Sequence, residues 1–307
     1  MRVVVALGGN ALLRRGEPMT AENQRRNVRV AARALAELAR SHEIVVAHGN
    51  GPQVGLLALQ ALAYTEVAAY PLDVLGAESS GMIGYLIEQE LMNALPADTP
   101  CGTLLTQIEV APDDPAFQAP TKPIGPVYEP AVAEQLRGEY GWDFVEEQGG
   151  QWRRVVPSPH PRKLLQGGVI RTMVDAGVVV VCTGGGGIPV IRGEEGHLEG
   201  IEAVIDKDRA AGLLAREVGA DAFLMLTDVE AVFADWGSQQ QRPLGRAGPA
   251  TLEAMDFAAG SMGPKVESAC AFVRATGGVA GIGRLEDAAA ILTGEAGTLV
   301  AANSEGS

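Results

Sequence analysis

Lysine is scarce in this chain: only four of the 24 basic residues are lysines, at positions 122, 163, 207 and 265, and the rest are arginines. Cysteine is scarcer still. Cys101, Cys182 and Cys270 are far apart and odd in number, which excludes a disulfide framework. No apolar run approaches the roughly 18 residues that cross a bilayer. The opening run from Val3 to Leu7 breaks at Gly8-Gly9, too early for the apolar segment of a signal peptide. These absences predict a soluble, cytoplasmic protein with reduced thiols. Positive charge is short overall, with 24 Lys and Arg against 38 Asp and Glu, for a net charge of −14. Such a surface repels nucleic acid and anionic membranes, so neither is expected as a partner. A phosphate-bearing ligand then needs a local positive pocket set against the global field.

Several catalytic signatures are also missing. No G-x-x-x-x-G-K-[ST] segment is present, which excludes a P-loop, and no G-x-G-x-x-G follows a predicted strand, which argues against a nicotinamide dinucleotide. The four histidines show no metal-ligand spacing, and neither H-E-x-x-H nor paired C-x-x-C occurs. There is no G-x-S-x-G elbow. Cys182 reads as packing and Ser79-Ser80 as helix capping or packing. A lone His48 at a strand end reads as structural.

What is present is the composition of a globular chain of 307 residues, 47% apolar and 20% charged, long enough for one large domain with an appendage. Continuous apolar runs predict buried strands at Val3–Leu7, Ile44–Ala47, Val178–Cys182 and Ala222–Leu226, and further strands are expected at Thr103–Val110, around Val279–Ile282, and at Thr298–Val300. Between them, three-and-four spacing predicts helices, including one opening near Thr20 and others at Ser79–Ala94, Gln166–Ala176, Asp206–Val218 and after Pro264. Apolar strands alternating with helices define an α/β fold with a parallel sheet covered on both faces. One stretch breaks the rhythm. Six prolines lie between Pro112 and Pro130, so neither helix nor central strand fits there. Phe144–Val156 reads as a hairpin turning at Gly149-Gly150, and 118–163 reads as a small protruding subdomain inserted into a single domain spanning 1–307. Trp236–Gly248 reads as a surface loop.

Three glycine clusters directly follow predicted strands: Gly8-Gly9-Asn10, Gly49-Asn50-Gly51 and Gly184 to Gly187. Ligands of open parallel sheets bind outside the carboxyl ends of the strands, where glycine lets backbone N–H groups approach an anion. One cluster is weak evidence, since glycine also simply ends strands; three at one edge point to an anion site. Lys207, between Asp206 and Asp208, and Lys265, after Gly263-Pro264, both open predicted helices. A helix N-terminus is a poor place for a cation unless an anion joins it, so both lysines argue for a polyphosphate. The bland alternative for Lys207 is a surface ion pair with a neighbouring aspartate. Lys122 lies in a proline-stiffened loop able to hold its side chain over a cleft. Asp228, after a strand end, faces the same cleft or serves a turn.

Several segments together resemble the carbamate kinase family. They are Ala6 to Leu12, His48 to Gly55, Thr121-Lys122-Pro123-Ile124-Gly125-Pro126, Val155 to Pro159, Gly184 to Pro189, Glu202 to Asp208, Leu226 to Val229, and Gly260 to Val266. The first is shared by other amino-acid-kinase folds; T-K-P-I-G-P and S-M-G-P-K together are much more specific. Departures are small: Val127 stands where an aromatic is common, His160 and Arg162 where lysines are frequent, and Arg284 where a small residue is usual. The resemblance runs in order from residue 3 to about residue 300. It implies an αβα sandwich around an eight-stranded, mostly parallel sheet, a homodimer, and a lid-like subdomain. It also implies the reversible reaction ATP + carbamate ⇌ ADP + carbamoyl phosphate, with Mg²⁺.

By the same resemblance, Lys122, Lys207 and Asp208 are catalytic, with the two lysines flanking the phosphoryl group and Asp208 orienting them. Gly8, Gly9, Asn10, Asp228, Met262, Gly263 and Lys265 bind nucleotide or phosphate, and Gly49, Asn50 and Gly51 hold carbamate; metal ligands are not assigned. Two alternatives stay open: a kinase of the same fold acting on a larger acid such as N-acetylglutamate, and a non-catalytic nucleotide-sensing module.

Overall fold

Val3, Val5 and Leu7 project to one side of the first strand and Val4 and Ala6 to the other, and all five are buried. Both faces of the sheet are therefore covered, as the unbroken apolar run requires. The computed structural model describes residues 1–302 apart from 15, 65, 148, 259 and 260, and it leaves out the Asn10 side chain. The main sheet contains β1 (Arg2–Leu7), β2 (Glu43–His48), β3 (Cys101–Leu104), β4 (Val179–Cys182), β5 (Ala222–Thr227), β6 (Arg246–Ala247), β7 (Val279–Arg284) and β8 (Thr298–Val300). Their spatial order is β6-β8-β7-β5-β1-β2-β4-β3. Every neighbouring pair is parallel except β7 with β8.

The helices are α1 (Ala21–Ala39), α2 (Gly51–Ala63), α3 (Leu72–Ala94), α4 (Pro130–Tyr140), α5 (Gly167–Asp175), α6 (Lys207–Glu217), α7 (Pro249–Glu253), α8 (Met262–Thr276) and α9 (Ala288–Thr293). Thr20 caps α1 by accepting from the Asn23 N–H at 3.2 Å, and Val28, Ala31, Ala32, Leu35 and Leu38 form its buried stripe. With α3 and α9 this stripe covers the Val3-Val5-Leu7 face. Apolar residues of α5, α6 and α8 cover the Val4-Ala6 face. The result is the α/β sandwich that the strand pattern predicts.

Besides a two-stranded ribbon, two smaller sheets lie outside that frame. One is antiparallel, with Trp152–Val156 between Lys122–Tyr128 and Asp143–Glu146, and it contains the expected hairpin. The proline-rich stretch forms its edge strand. A register shift between Ile124 and Val127 steps over Gly125-Pro126, and an edge is where proline is tolerated in a sheet. The other sheet has four strands, in the order Leu198–Gly200, Ile188–Arg192, Gln107–Val110 and Pro161–Leu164. The single strand expected at Thr103–Val110 is therefore two strands, one in each of two sheets. Trp236–Gly248, expected to be a loop, contains Arg242–Leu244, paired with Val232–Ala234, and β6.

The three-stranded sheet rests on α2 and α3. Ile124 and Val156 pack with Val54, Leu72, Leu75 and Val204 in a buried cluster. The edge strand meets α2 backbone to backbone: a Cβ on Gly55 would lie 1.9 Å from the Gly125 Cα. That contact holds Lys122 over the start of α2, where Asn50 and Gly51 lie.

Candidate active site

Three of the four lysines converge outside the carboxyl ends of the parallel strands, and the fourth, Lys163, is exposed elsewhere. Lys122 Nζ lies 2.5 Å from Asp206 Oδ2. Asp206 Oδ1 caps α6 by accepting from the Asp208 and Arg209 N–H groups at 2.9 and 3.3 Å. Two residues on, Asp208 is held between two ammonium groups, with Lys207 Nζ 2.6 Å from Oδ1 and Lys265 Nζ 3.1 Å from Oδ2. Its side chain is only 4% exposed, against 18% for Lys207 and 12% for Lys265. The bland reading of Lys207 as a solvated surface pair therefore fails. The anions that make these lysines comfortable near helix starts are in part the protein's own, Asp206 and Asp208.

Burial pushes the Asp206 carboxyl up, but Lys122 and then Lys207 outweigh it and hold it at about 2. Asp208 is also lowered, because Lys207 and Lys265 overcome its burial. Lys265 is lowered by burial and by the charge of Lys207, with Asp208 opposing both. Three ammonium groups face two carboxylates, so the cluster favours a further anion despite the acidic surface.

Because folding lowers the Asp206 pKa, its contribution to stability is whole above about pH 4 and is lost as the pH falls towards 2. Asp206→Asn should accordingly melt below the wild type near neutrality. It should also lose less stability than the wild type between about pH 5 and pH 2. Thermal melts across that range test this, and parallel curves for the two proteins would contradict it.

The lysines border a cavity of about 180 Å³ whose other walls include Gly9, Gly49, Asn50, Gly51, Gln53 and Gly185. Asn50 Nδ2 donates to Ser79 Oγ at 2.8 Å, and Ser79 Oγ donates in turn to the Leu75 carbonyl at 2.9 Å. Ser79, read from sequence as helix capping or packing, thus fixes Asn50 at the cavity. Gly185 has φ of +67°, and a Cβ there would come within 2.2 Å of Asn50 Nδ2, so the glycine turn after β4 serves as a backbone platform for that side chain. His48 is buried, and burial pushes it down to about 4. Its Nδ1 lies 3.0 Å from the Gly49 carbonyl oxygen, which can only accept, so the ring is a neutral donor there.

A second pocket of about 670 Å³ adjoins the first, and Ser261 and Lys265 line both. Asp228 and Met262 line it, with Phe233, Trp236 and Phe257 as aromatic walls. Its volume and apolar walls suit a nucleoside, and Lys265 stands at its junction with the small cavity.

Two sequence-predicted residues border neither cavity. Gly8 lines neither cavity, and its N–H is spent on the Leu226 carbonyl at 2.8 Å. Gly263 also lines neither; its N–H donates to the Ala258 carbonyl at 3.0 Å within the entry to α8. The Asn10 side chain lies outside the described residues, as does Gly260 of the α8 entry motif. Asp206 borders the cavity and pairs with Lys122, yet it is not among the sequence-predicted residues. Its position directly before Lys207 and the helix was a cap signal, but its pairing with Lys122 spans 84 positions.

A glycine-edged parallel sheet with lysines gathered at its carboxyl ends is the site of a phosphoryl-transfer fold, and the chain belongs to the amino acid kinase family, whose model matches residues 1–281. Within it, the chain belongs with the carbamate kinases. It is 55% identical over 305 residues to "Carbamate kinase" of Rhizobium meliloti, covering 99% of this chain and 94% of that protein. It is 54% identical over 298 residues to "Carbamate kinase" of Escherichia coli K12, covering 97% and 98%. Among solved structures it is similar to carbamate kinase from Giardia lamblia bound to AMP-PNP, with a TM-score of 0.90 and 40% identity over 98% of each chain.

Proposed function

We propose that the chain catalyses the reversible reaction ATP + carbamate ⇌ ADP + carbamoyl phosphate. The observation that carries this reading is the small cavity bordered by Lys122, Lys207 and Lys265 and joined at Lys265 to the larger pocket, a setting that suits a transferred phosphoryl group. The nucleotide fills the larger pocket beside Asp228 and Met262. Carbamate sits in the smaller cavity against Gly49, Asn50 and Gly51, with Gly9 and Asn10 near the phosphates. A carbamate oxygen attacks the γ-phosphorus while the bond to the departing ADP oxygen breaks, and no proton need move. A general base is therefore unnecessary, in keeping with a neutral, buried His48. The work left to the protein is placement and stabilisation of charge on the equatorial oxygens, which ammonium groups in a partly dry site provide.

The nucleotide enters as its Mg²⁺ complex. Among the described residues no three His, Cys, Asp or Glu side chains gather as a metal site, and Asp206 and Asp208 are engaged by lysines. The donor set suits an ion carried mainly by phosphate oxygens, which neutralises part of their charge when bound. The sheet containing Lys122 acts as a lid over the site. A second copy of the chain covers the face of α3 on which Val74, Met82, Tyr85 and Met92 are exposed, giving a homodimer. No helix among the described residues is long and apolar enough to cross a membrane. We place the enzyme in the cytoplasm, where its free thiols stay reduced.

Acceptor-dependent release of ADP across carbamate, acetate and N-acetylglutamate tests the assignment. Turnover with carbamate and none with N-acetylglutamate is expected; the reverse would overturn it, and nucleotide binding without ADP release from any acceptor would point to a sensing module. Lys265→Ala should raise the KM for ADP on the order of tenfold or more as well as slow turnover, since it removes a charge-assisted bond to nucleotide phosphate in ground and transition states alike. Steady-state titration of ADP checks this, and an unchanged KM would contradict it.

A further inference from the structure

Among the described residues, two ion pairs join neighbouring strands of the small sheet to one segment of the body, Glu202–Asp206. The inner join is Lys122 to Asp206. The outer join is Arg154 to Glu202, with Nη2 3.4 Å from Oε1. Arg154 lies on the strand whose Val156 is directly opposite Lys122, and Glu202 precedes Asp206 by four residues. Between the joins, the Val204 N–H donates to the Pro157 carbonyl at 3.0 Å.

Neither partner of the outer join is free to wander. The Arg154 guanidinium stacks 3.7 Å from the centre of the Trp142 ring, and the side chain is only 9% exposed. Glu202 Oε2 accepts from the Leu72 N–H at 2.7 Å, at the first residue of α3. Glu202 thus ties its loop to a helix start, a favourable place for a carboxylate. A cavity of about 280 Å³ runs beside the pair, between Leu72 and Leu75 of α3 and Tyr140 and Trp142 of the small sheet's unit. The seam is therefore not sealed by packing alone.

We propose that Arg154 and Glu202 form a positioning pair, which fixes the small sheet against the Glu202–Asp206 loop and so sets the height of the Lys122 ammonium over the phosphoryl group. Neither residue lines the small cavity, so they act through Lys122. Glu202 is half exposed, so the pair adds little to global stability. Its effect is on placement, and an ångström of misplacement can cost up to about 10²-fold in rate. This inference rests on the phosphoryl-transfer reading given above.

A double-mutant cycle tests it. Arg154→Met keeps an apolar stem against Trp142 and removes the pair. Arg154→Met should lower kcat on the order of tenfold in the wild-type background, with the KM for ADP within about twofold. In a Lys122→Ala background the same change should move kcat by less than about twofold, because its target is gone. Glu202→Gln, which still accepts from Leu72, should reproduce the pattern with little change in melting temperature. Equal losses in both backgrounds, or a fall in melting temperature in place of kcat, would overturn the proposal. Hydrogen exchange provides a readout without turnover. The Lys122, Ile124 and Val127 amides should exchange faster in Arg154→Met than in the wild type, and unchanged exchange would overturn the proposal even if the chain proved inactive towards carbamate.

Discussion

Lys207→Arg should keep the charge at residue 207 and lose on the order of 10²-fold or more in kcat, the scale of a lost transition-state donor. The lysine stem runs past Gly49, where a Cβ would lie 3.1 Å from Lys207 Cδ, and its Nζ is 2.6 Å from Asp208 Oδ1. An ammonium in that slot is a point donor that can follow an oxygen from reactant to product. A guanidinium is wider and planar, and its fork needs room that Gly49 and Asp208 occupy. Steady-state kinetics with folding checked by circular dichroism decide the matter. A near-normal kcat would reduce Lys207 to a partner for Asp208.

Asp208→Asn should be nearly as damaging, for a different reason. The carboxylate holds Lys207 on one oxygen and Lys265 on the other, and it opposes the burial and repulsion that lower Lys265. Asparagine preserves the shape but leaves two buried ammonium groups facing each other. A fall in kcat on the order of 10²-fold is expected. Because Lys265 borders the nucleotide pocket, the KM for ADP should rise as well. Lys265 should also lose its proton at lower pH than in the wild type, so activity should fall away sooner on the alkaline side. A pH–rate profile measures that shift. An alkaline limb that stays in place would show that Asp208 does not sustain the charge of Lys265.

The sandwich was legible because its strands are buried on both faces and its helices carry single apolar stripes, as in Val3–Leu7 and in α1. The four-stranded sheet was not. Its members are three to five residues long and come from three separate parts of the chain, so no periodic pattern announces them. The site was legible in part through scarcity: in an arginine-rich chain, three of four lysines proved to share one cavity. Asp206 and Asn50 acquire their roles from partners distant in sequence, Lys122 and Ser79. A glycine after a strand suits an anion site and a sheet continuation equally well, and at Gly8 the N–H serves the sheet.

The central claim is that this cluster of lysines transfers a phosphoryl group between the contents of two adjoining cavities. Formation of ATP from ADP and carbamoyl phosphate by the purified chain, followed by luminescence beside the Lys207→Arg variant, tests it most directly. Rapid ATP synthesis by the wild type and a loss on the order of 10²-fold in the variant are predicted. A folded wild type that makes no ATP, or a variant that makes it as fast, would contradict the account.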